Sequence, residues 1–301
     1  MKILCPMSPS IYENFDRIIE NGADEFYMGY LMKDTRFGNN LSRRTGSRPN
    51  FDSLETMIEA IRSIKRKNKK AFITFNQKFY LKEHHEHILK DTERLTKEGI
   101  DGVIVSDMNL MMLMKEKFPD MTMISSTVRV VTNSSSIEFF KNLGISKFVL
   151  SGALKIDEIN DIITKNEDVG FEIFIKNERC PNIDGLCSLS HEAIKTIPKT
   201  PCLGLSCDHH IDSSKRFNEY ACGVCSIYDI HRSEGISLKI SGRPKSGEEV
   251  SKDVKFVKKS LEFLDSDRVF EREEFVLFVK DLFRKIYGTD CKENCYYIGR
   301  Y

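Results

Sequence analysis

The sequence predicts an α/β fold: a TIM-barrel-like (β/α)8 barrel with a cysteine-rich loop after the seventh strand and helices at the C-terminus. Eight short apolar, β-branched or aromatic runs alternate with amphipathic helical patterns. Most of the runs are continuous rather than alternating, as in parallel strands covered on both faces. A glycine followed by a short turn recurs ahead of the strands, at Gly22, Gly99, Gly144 and Gly235, where it ends a helix and returns the chain to the sheet. A doubly wound open sheet shares this alternation and is the alternative.

The strand runs are Lys2 to Cys5, Glu25 to Met28, Ala71 to Phe75, Gly102 to Val105, Met121 to Ser125, Lys147 to Leu150, Phe171 to Ile175 and Ser237 to Ile240. Between them, Ile11, Phe15, Ile18 and Ile19 share a helical face, as do Leu54, Met57, Ile58, Ile61 and Ile64. Ile88 with Leu95, Leu110 to Met114, Ile137 with Phe140, and Ile156, Ile159 and Ile163 continue the series. Two more stripes follow, Val250 to Leu264 and Phe275 to Ile286. We divide the chain into a barrel domain, 1–264, with an embedded cysteine-rich segment, 178–225, and a C-terminal helical extension and tail, 265–301. His84, His85 and His87 fall on a charged helix and are expected to be exposed. Met108, Met111, Met112 and Met114 are expected to pack in the core.

In such a barrel, chemistry sits where the strands end. Those ends carry Asn76, Asp107, Ser126, Thr127, Lys176 and Arg243, a polar set of mixed sign that suits a small anionic or hydroxylated ligand. Lys176, Lys239 and Arg243 would hold carboxylates by charge-assisted bonds; Asn76, Ser126 and Thr127 would orient ring substituents. Asp107, Glu172 and Lys176 are the candidates for catalysis.

Composition narrows the partners. Lys plus Arg number 46 and Asp plus Glu 45, so overall charge gives no support to a nucleic-acid or membrane partner. Arg43, Arg44 and Arg48, and the run Lys65 to Lys70, could touch RNA phosphates, but charge at helix ends usually faces water. The apolar runs are strand-sized, too short for a membrane span. No export signal opens the chain, so a cytoplasmic location with reduced thiols is expected.

Six of the nine cysteines, Cys180, Cys187, Cys202, Cys207, Cys222 and Cys225, fall in one polar, turn-rich segment. Reduced thiols gathered this way hold a metal or an iron–sulfur cluster. Zinc sites come as tight pairs, and in this segment only Cys222 and Cys225 have the two-residue gap; the looser spacing of the others suits a cluster, with zinc the alternative. Cys5, inside the first strand, reads as core. Cys291 and Cys295 either reach back to the site or lie in a mobile end.

The stretch Glu172-Ile173-Phe174-Ile175, then Cys180, then Gly185-Leu186-Cys187-Ser188-Leu189-Ser190, is similar to the signature of the collagenase-like peptidase family U32. Gly22 to Gly29, Asp101 to Asp107, Ser125 to Thr127 with Asn133, and Cys225 to Ile230 leading to Lys239-Ile240-Ser241-Gly242-Arg243 resemble further parts of that family, up to about Leu264. The resemblance implies a barrel and a 4Fe-4S cluster. By position it assigns the ligands to Cys180, Cys187, Cys207 and Cys225, with Cys202 and Cys222 in reserve. It also implies oxygen-independent hydroxylation of a quinone precursor or an RNA base, with prephenate as hydroxyl donor and a hetero- or homodimer partner in some members. Lys176-Asn177 stands where the signature has His-Gly, and Ser151-Gly152-Ala153 where it has Ser-Arg-Glu, so substrate identity does not carry over. The alternatives are a peptidase, for which Cys207 with His209 and His210 is the available nucleophile and base, and a non-catalytic RNA-binding or assembly partner.

Overall fold

The computed structural model describes residues 1–32, 41–42, 47–178, 183, 185–186, 221–266 and 269–297. In chain order the elements are β1 (Lys2–Pro6), α1 (Pro9–Tyr12), α2 (Phe15–Glu20), β2 (Glu25–Met28), α3 (Leu54–Arg66), β3 (Lys70–Phe75), α4 (Lys82–Lys97) and β4 (Gly102–Val105). There follow α5 (Met108–Lys117), β5 (Thr122–Ser125), α6 (Ser134–Asn142), β6 (Lys147–Val149), α7 (Ile156–Lys165) and β7 (Gly170–Lys176). A 3-10 turn (Val224–Ser226), α8 (Ile227–Ile230), β8 (Ile236–Ile240), α9 (Gly247–Leu264) and α10 (Arg272–Tyr287) complete the series. The strands close in sequence order into an eight-stranded barrel in which every pairing is parallel, β1 lying against β8.

Local chemistry sets the helix starts. Ser53 accepts a hydrogen bond from Thr56 N, Asn133 from Ser136 N and Ser246 from Glu249 N, each satisfying an amide that the first turn leaves without a partner. Gly22, Gly99, Gly144 and Gly235 all take positive φ, as the recurring tag predicts.

Two apolar layers result from the strand alternation. The larger lies between barrel and helices and includes Ile3, Cys5, Phe26, Ile73, Val103, Phe148, Ile173 and Leu238. The smaller fills the barrel: Leu4, Tyr27, Phe72, Ile104, Ile124 and Val149, with Phe174 against them. Truncating such a side chain to alanine costs about 2–5 kcal/mol. Cys5 is fully buried, as its place in the strand suggests. Met111 and Met114 are core, but Met108 and Met112 are exposed, because the helix turns them to the opposite side.

Helix α9 takes the place of the barrel's last covering helix, against α1, α2, β1 and β8. Helix α10 packs on it through Phe256 against Phe283 and Phe263 stacked on Phe278. Gly288 then ends α10, and the tail folds back onto β7: Tyr297 donates its hydroxyl to Phe174 O, and Tyr296 donates to Asn177 O.

Candidate functional site at the barrel mouth

The inward residues form tiers. At the bottom, Lys147 donates to Glu25 at 3.2 Å and to Ser237 at 2.7 Å, and Ser237 donates to Glu25 at 2.6 Å. One step up, Lys239 donates to Glu172 at 2.6 Å and lies 4.4 Å from the centre of the Tyr27 ring. Glu172 also faces Lys147 at 3.7 Å, so two lysines and two glutamates form one neutral assembly inside the barrel. Burial pulls the Lys239 ammonium below its ordinary pKa, and Glu172 opposes that pull. The apolar ring of Leu4, Phe72, Ile104, Ile124 and Val149 shares this interior.

The mouth above is polar. Arg243 donates to Asn50 at 3.0 Å, to Thr74 at 3.3 Å and to Ser42 at 3.2 Å, which fixes its guanidinium. Gly29 makes room for it: a Cβ there would stand 2.7 Å from Arg243 Nη1. Asn76 donates to Ser126 at 3.5 Å, and Thr127 follows at the rim. Arg129 donates to the carbonyls of Ser106 and Lys78 beside them. Ser106 Oγ is buried without a hydrogen-bond partner among the described residues.

Three sequence-predicted residues have other surroundings. Lys176 is not in the mouth. Strict alternation with Glu172 and Phe174 would point it inward, but the register shifts between Phe174 and Lys176. Its ammonium therefore lies outside the barrel, 3.9 Å from Asp253 on α9 and over the rings of Phe283 and Tyr287 on α10. Asp107 accepts from Leu110 N at 2.7 Å and from Tyr80 N at 3.1 Å, and it pairs with His85 at 3.0 Å. It caps α5 and anchors α4. His85, expected to be exposed, is buried, because Asp107 draws it in from its charged helix.

Glu25, Lys147, Arg129, Ser42 and Asn50 were not among the predicted residues. Glu25 and Lys147 open apolar strand runs, and a lone charge there is the signal that would have found them.

The cysteines divide. Cys180, Cys187, Cys202 and Cys207 lie outside the described residues. Between the first two, Gly185 sits on the β5–α6 loop with φ +90°, and a Cβ there would come within 2.0 Å of Val128 O. That contact sets Gly185 itself against the loop that carries Thr127 and Arg129. Cys222 forms an antiparallel bridge with Lys176, on the strand that leads towards Cys180. Burial pushes the Cys222 thiol up to about 11 and the Cys225 thiol up to about 12. Lys176 beside Cys222 and Arg272 near Cys225 act in the opposite sense, favouring thiolate.

Residues 10–297 match the family described as peptidase family U32. The chain belongs to that family. Among its relatives, the tRNA hydroxylation protein P of Escherichia coli (strain K12) is 27% identical over 172 residues, 56% of this chain and 35% of that protein. The 23S rRNA 5-hydroxycytidine C2501 synthase of the same strain is 28% identical over 177 residues, 58% of this chain and 24% of that protein. The tRNA hydroxylation protein P1 of Bacillus subtilis (strain 168) is 22% identical over 293 residues, 91% of this chain and 60% of that protein. The U32 chain thus spans only part of the length of these relatives. A solved structure, that of the U32 peptidase Mk0906, covers 80% of this chain and 93% of its own with a TM-score of 0.53 and 13% identity, a likeness of fold. Among the described residues no helix is long and apolar enough to cross a membrane.

Of the four cysteines that the family resemblance assigns to a cluster, Cys225 is the one among the described residues, a free thiol partly buried against the outer apolar layer; thiolate is the ligand type that iron–sulfur clusters take.

Proposed function

We propose that this U32 protein takes part in the oxygen-independent hydroxylation of an RNA base at the barrel mouth, using a 4Fe-4S cluster held by Cys180, Cys187, Cys207 and Cys225. The observation that supports the reading is the contact of Gly185, two residues before Cys187, with Val128 of the loop that carries Ser126, Thr127 and Arg129. The names of the relatives, tRNA hydroxylation and rRNA 5-hydroxycytidine synthesis, supply the substrate class.

When bound, such a cluster supplies electron transfer or a Lewis-acidic iron. The chain's own residues do the positioning. Arg243, fixed from three sides, sets a positive charge at the floor of the mouth that suits a carboxylate on a hydroxyl donor such as prephenate, or a phosphate of the RNA. Asn76 and Ser126 present a donor and an acceptor for base edges. The apolar ring in the barrel closes the site from below, so a base enters only from the mouth.

The test is mass spectrometry of tRNA and rRNA nucleosides from cells with and without the gene. We expect one hydroxylated nucleoside to disappear on deletion and to return with the wild-type gene, but not with Cys187→Ser. Unchanged nucleosides in the deletion strain would overturn the reading.

A further inference from the structure

The loop that follows β3 holds one side chain in solvent and fixes the backbone around it. Gln77 N donates to the Tyr80 hydroxyl at 3.2 Å, and Gln77 Nε2 to Ser42 O at 2.9 Å. Arg129 Nη2 donates to Lys78 O at 3.0 Å. Tyr80 N donates to Asp107 Oδ2 at 3.1 Å, and the Tyr80 ring is buried. Between these anchors stands Phe79, 73% exposed.

A single exposed apolar side chain needs no explanation on its own. Three observations set Phe79 apart. Its backbone is tethered on both sides, so the ring is displayed by a held loop. Its place is the barrel mouth: Asn76, which donates to Ser126 there, is three residues earlier, so the two Cα atoms are at most about 11 Å apart. It has no ring partner among the described residues, whereas Phe139, the other largely exposed phenylalanine, leans on Phe140 with 5.2 Å between ring centres.

Arg129 supplies the charge. Its Nε donates to Ser106 O and its Nη2 to Lys78 O, the carbonyl of the peptide that leads into Phe79. One partly exposed guanidinium thus ties together the loops after β3, β4 and β5, one peptide away from the exposed ring. Both of its partners are neutral carbonyls. Arg62, Arg94, Arg272 and Arg284 each have a carboxylate at 2.6–3.1 Å. Among the described residues Arg129 has none, and its Nη1 is left without a hydrogen bond. The basic run Lys65 to Lys70 is the opposite case. Lys65, Lys67 and Lys69 pair with Asp101, Asp16 and Asp24 at 2.7, 3.0 and 3.6 Å, which leaves that run little charge to offer a phosphate.

An exposed ring beside a guanidinium with no acid partner suits single-stranded nucleic acid: the ring offers a face to a base, and the cation offers N–H donors to a phosphate. A duplex keeps its bases stacked inside and cannot use such a ring. On the RNA reading above, we propose that Phe79 and Arg129 receive the unpaired nucleotide next to the reacting base. Phe79 stacks on its base, and Arg129 Nη1 binds its phosphate. Both residues hold RNA and take no part in the chemistry. The rim keeps the strand in place while the reacting base turns down into the mouth.

The chain has no tryptophan, so Phe79→Trp sets a single reporter at the rim. Its emission should be quenched when the whole chain binds a single-stranded RNA of about a dozen nucleotides, and far less with the same sequence as a duplex. Anisotropy of the labelled RNA gives the affinity. We expect Phe79→Ala to weaken binding by about 5- to 100-fold, the range that stacking of one base supplies, and Phe79→Tyr to restore most of it. Thermal unfolding of both variants should match wild type, because the side chain is exposed. Arg129→Gln should flatten the slope of log affinity against log salt by about 0.7, the share of one phosphate on a single strand, which a purely loop-holding residue would not change. Unquenched emission at saturating RNA or an unaltered salt slope in Arg129→Gln would each overturn the assignment. An unaltered RNA affinity in Phe79→Ala would overturn it as well and leave a protein as the occupant of the ring. Wild-type protein that does not bind the RNA would also overturn it, and a nucleoside lost from the deletion strain would then still uphold the RNA reading.

Discussion

Strand β7 carries a buried charge on each side, and the two sides are built differently. Inward, Glu172 meets Lys239 at 2.6 Å and Lys147 at 3.7 Å, within an assembly where every charge has an opposite partner. Outward, Lys176 stands 3.9 Å from Asp253, a carboxylate already engaged by the Tyr287 hydroxyl at 2.6 Å and the Asn177 amide at 2.7 Å. Burial, and the Asp253 carboxylate next to it, push the Tyr287 hydroxyl well above its ordinary pKa, which keeps it a donor. The inner group is an ion-pair lattice. The outer one is a carboxylate held by neutral donors, with an ammonium resting over two rings. A charged residue on an apolar strand therefore need not face the site, and its partners rather than its sequence position say what it does.

Removing Glu172 should have the largest effect. Glu172→Ala leaves Lys239 and Lys147 facing each other in the barrel with only Glu25 between two positive charges. Breaking a buried pair in this way costs about 3–5 kcal/mol, read as a lowered midpoint in urea unfolding. The double variant Glu172→Met/Lys239→Met removes both charges and should recover most of that loss. A single variant as stable as wild type would mean that the inner assembly is no lattice.

How much of this was legible in the sequence follows from range. The apolar runs at Glu25–Met28 and Gly102–Val105 coincide with β2 and β4, because strand chemistry is local. Glu172, Lys239 and Arg243 were legible as site candidates because Glu172 precedes the shift in β7, Lys239 lies on β8 and Arg243 just past its end. Lys176 was misplaced among them, since one extra residue before it inverts the face, and no residue type announces that shift. His85 was misread because its partner Asp107 is one β–α unit further on. The pairing of Cys222 with Cys295 spans most of the C-terminal third of the chain, with α9 and α10 between the two in sequence, so no local pattern announces it.

Asp253 tests the outer side at intermediate strength. Asp253→Asn keeps an acceptor for Tyr287 but sets an amide donor against the amide donor of Asn177, and it strips Lys176 of its counter-charge. Hydrogen bonds to a charged group contribute about 1.5–3 kcal/mol, and a loss in that range is expected in the same urea assay. A loss as large as that of Glu172→Ala would make the two faces equivalent and remove the contrast between them.

Lys176→Met should matter least. The methionine side chain follows much the same path over Phe283 and Tyr287, and the desolvated ammonium is gone. Asp253 keeps both of its close donors. Replacing a buried charge by an apolar group of similar volume is often near neutral, so a change within about 1 kcal/mol is expected. Iron content and the hydroxylated nucleoside should be unchanged, because the side chain lies on the far side of β7 from Arg243 and Asn76. A stable Lys176→Met protein that no longer restores the nucleoside to deletion cells would place this lysine in the reaction and reverse the outward assignment.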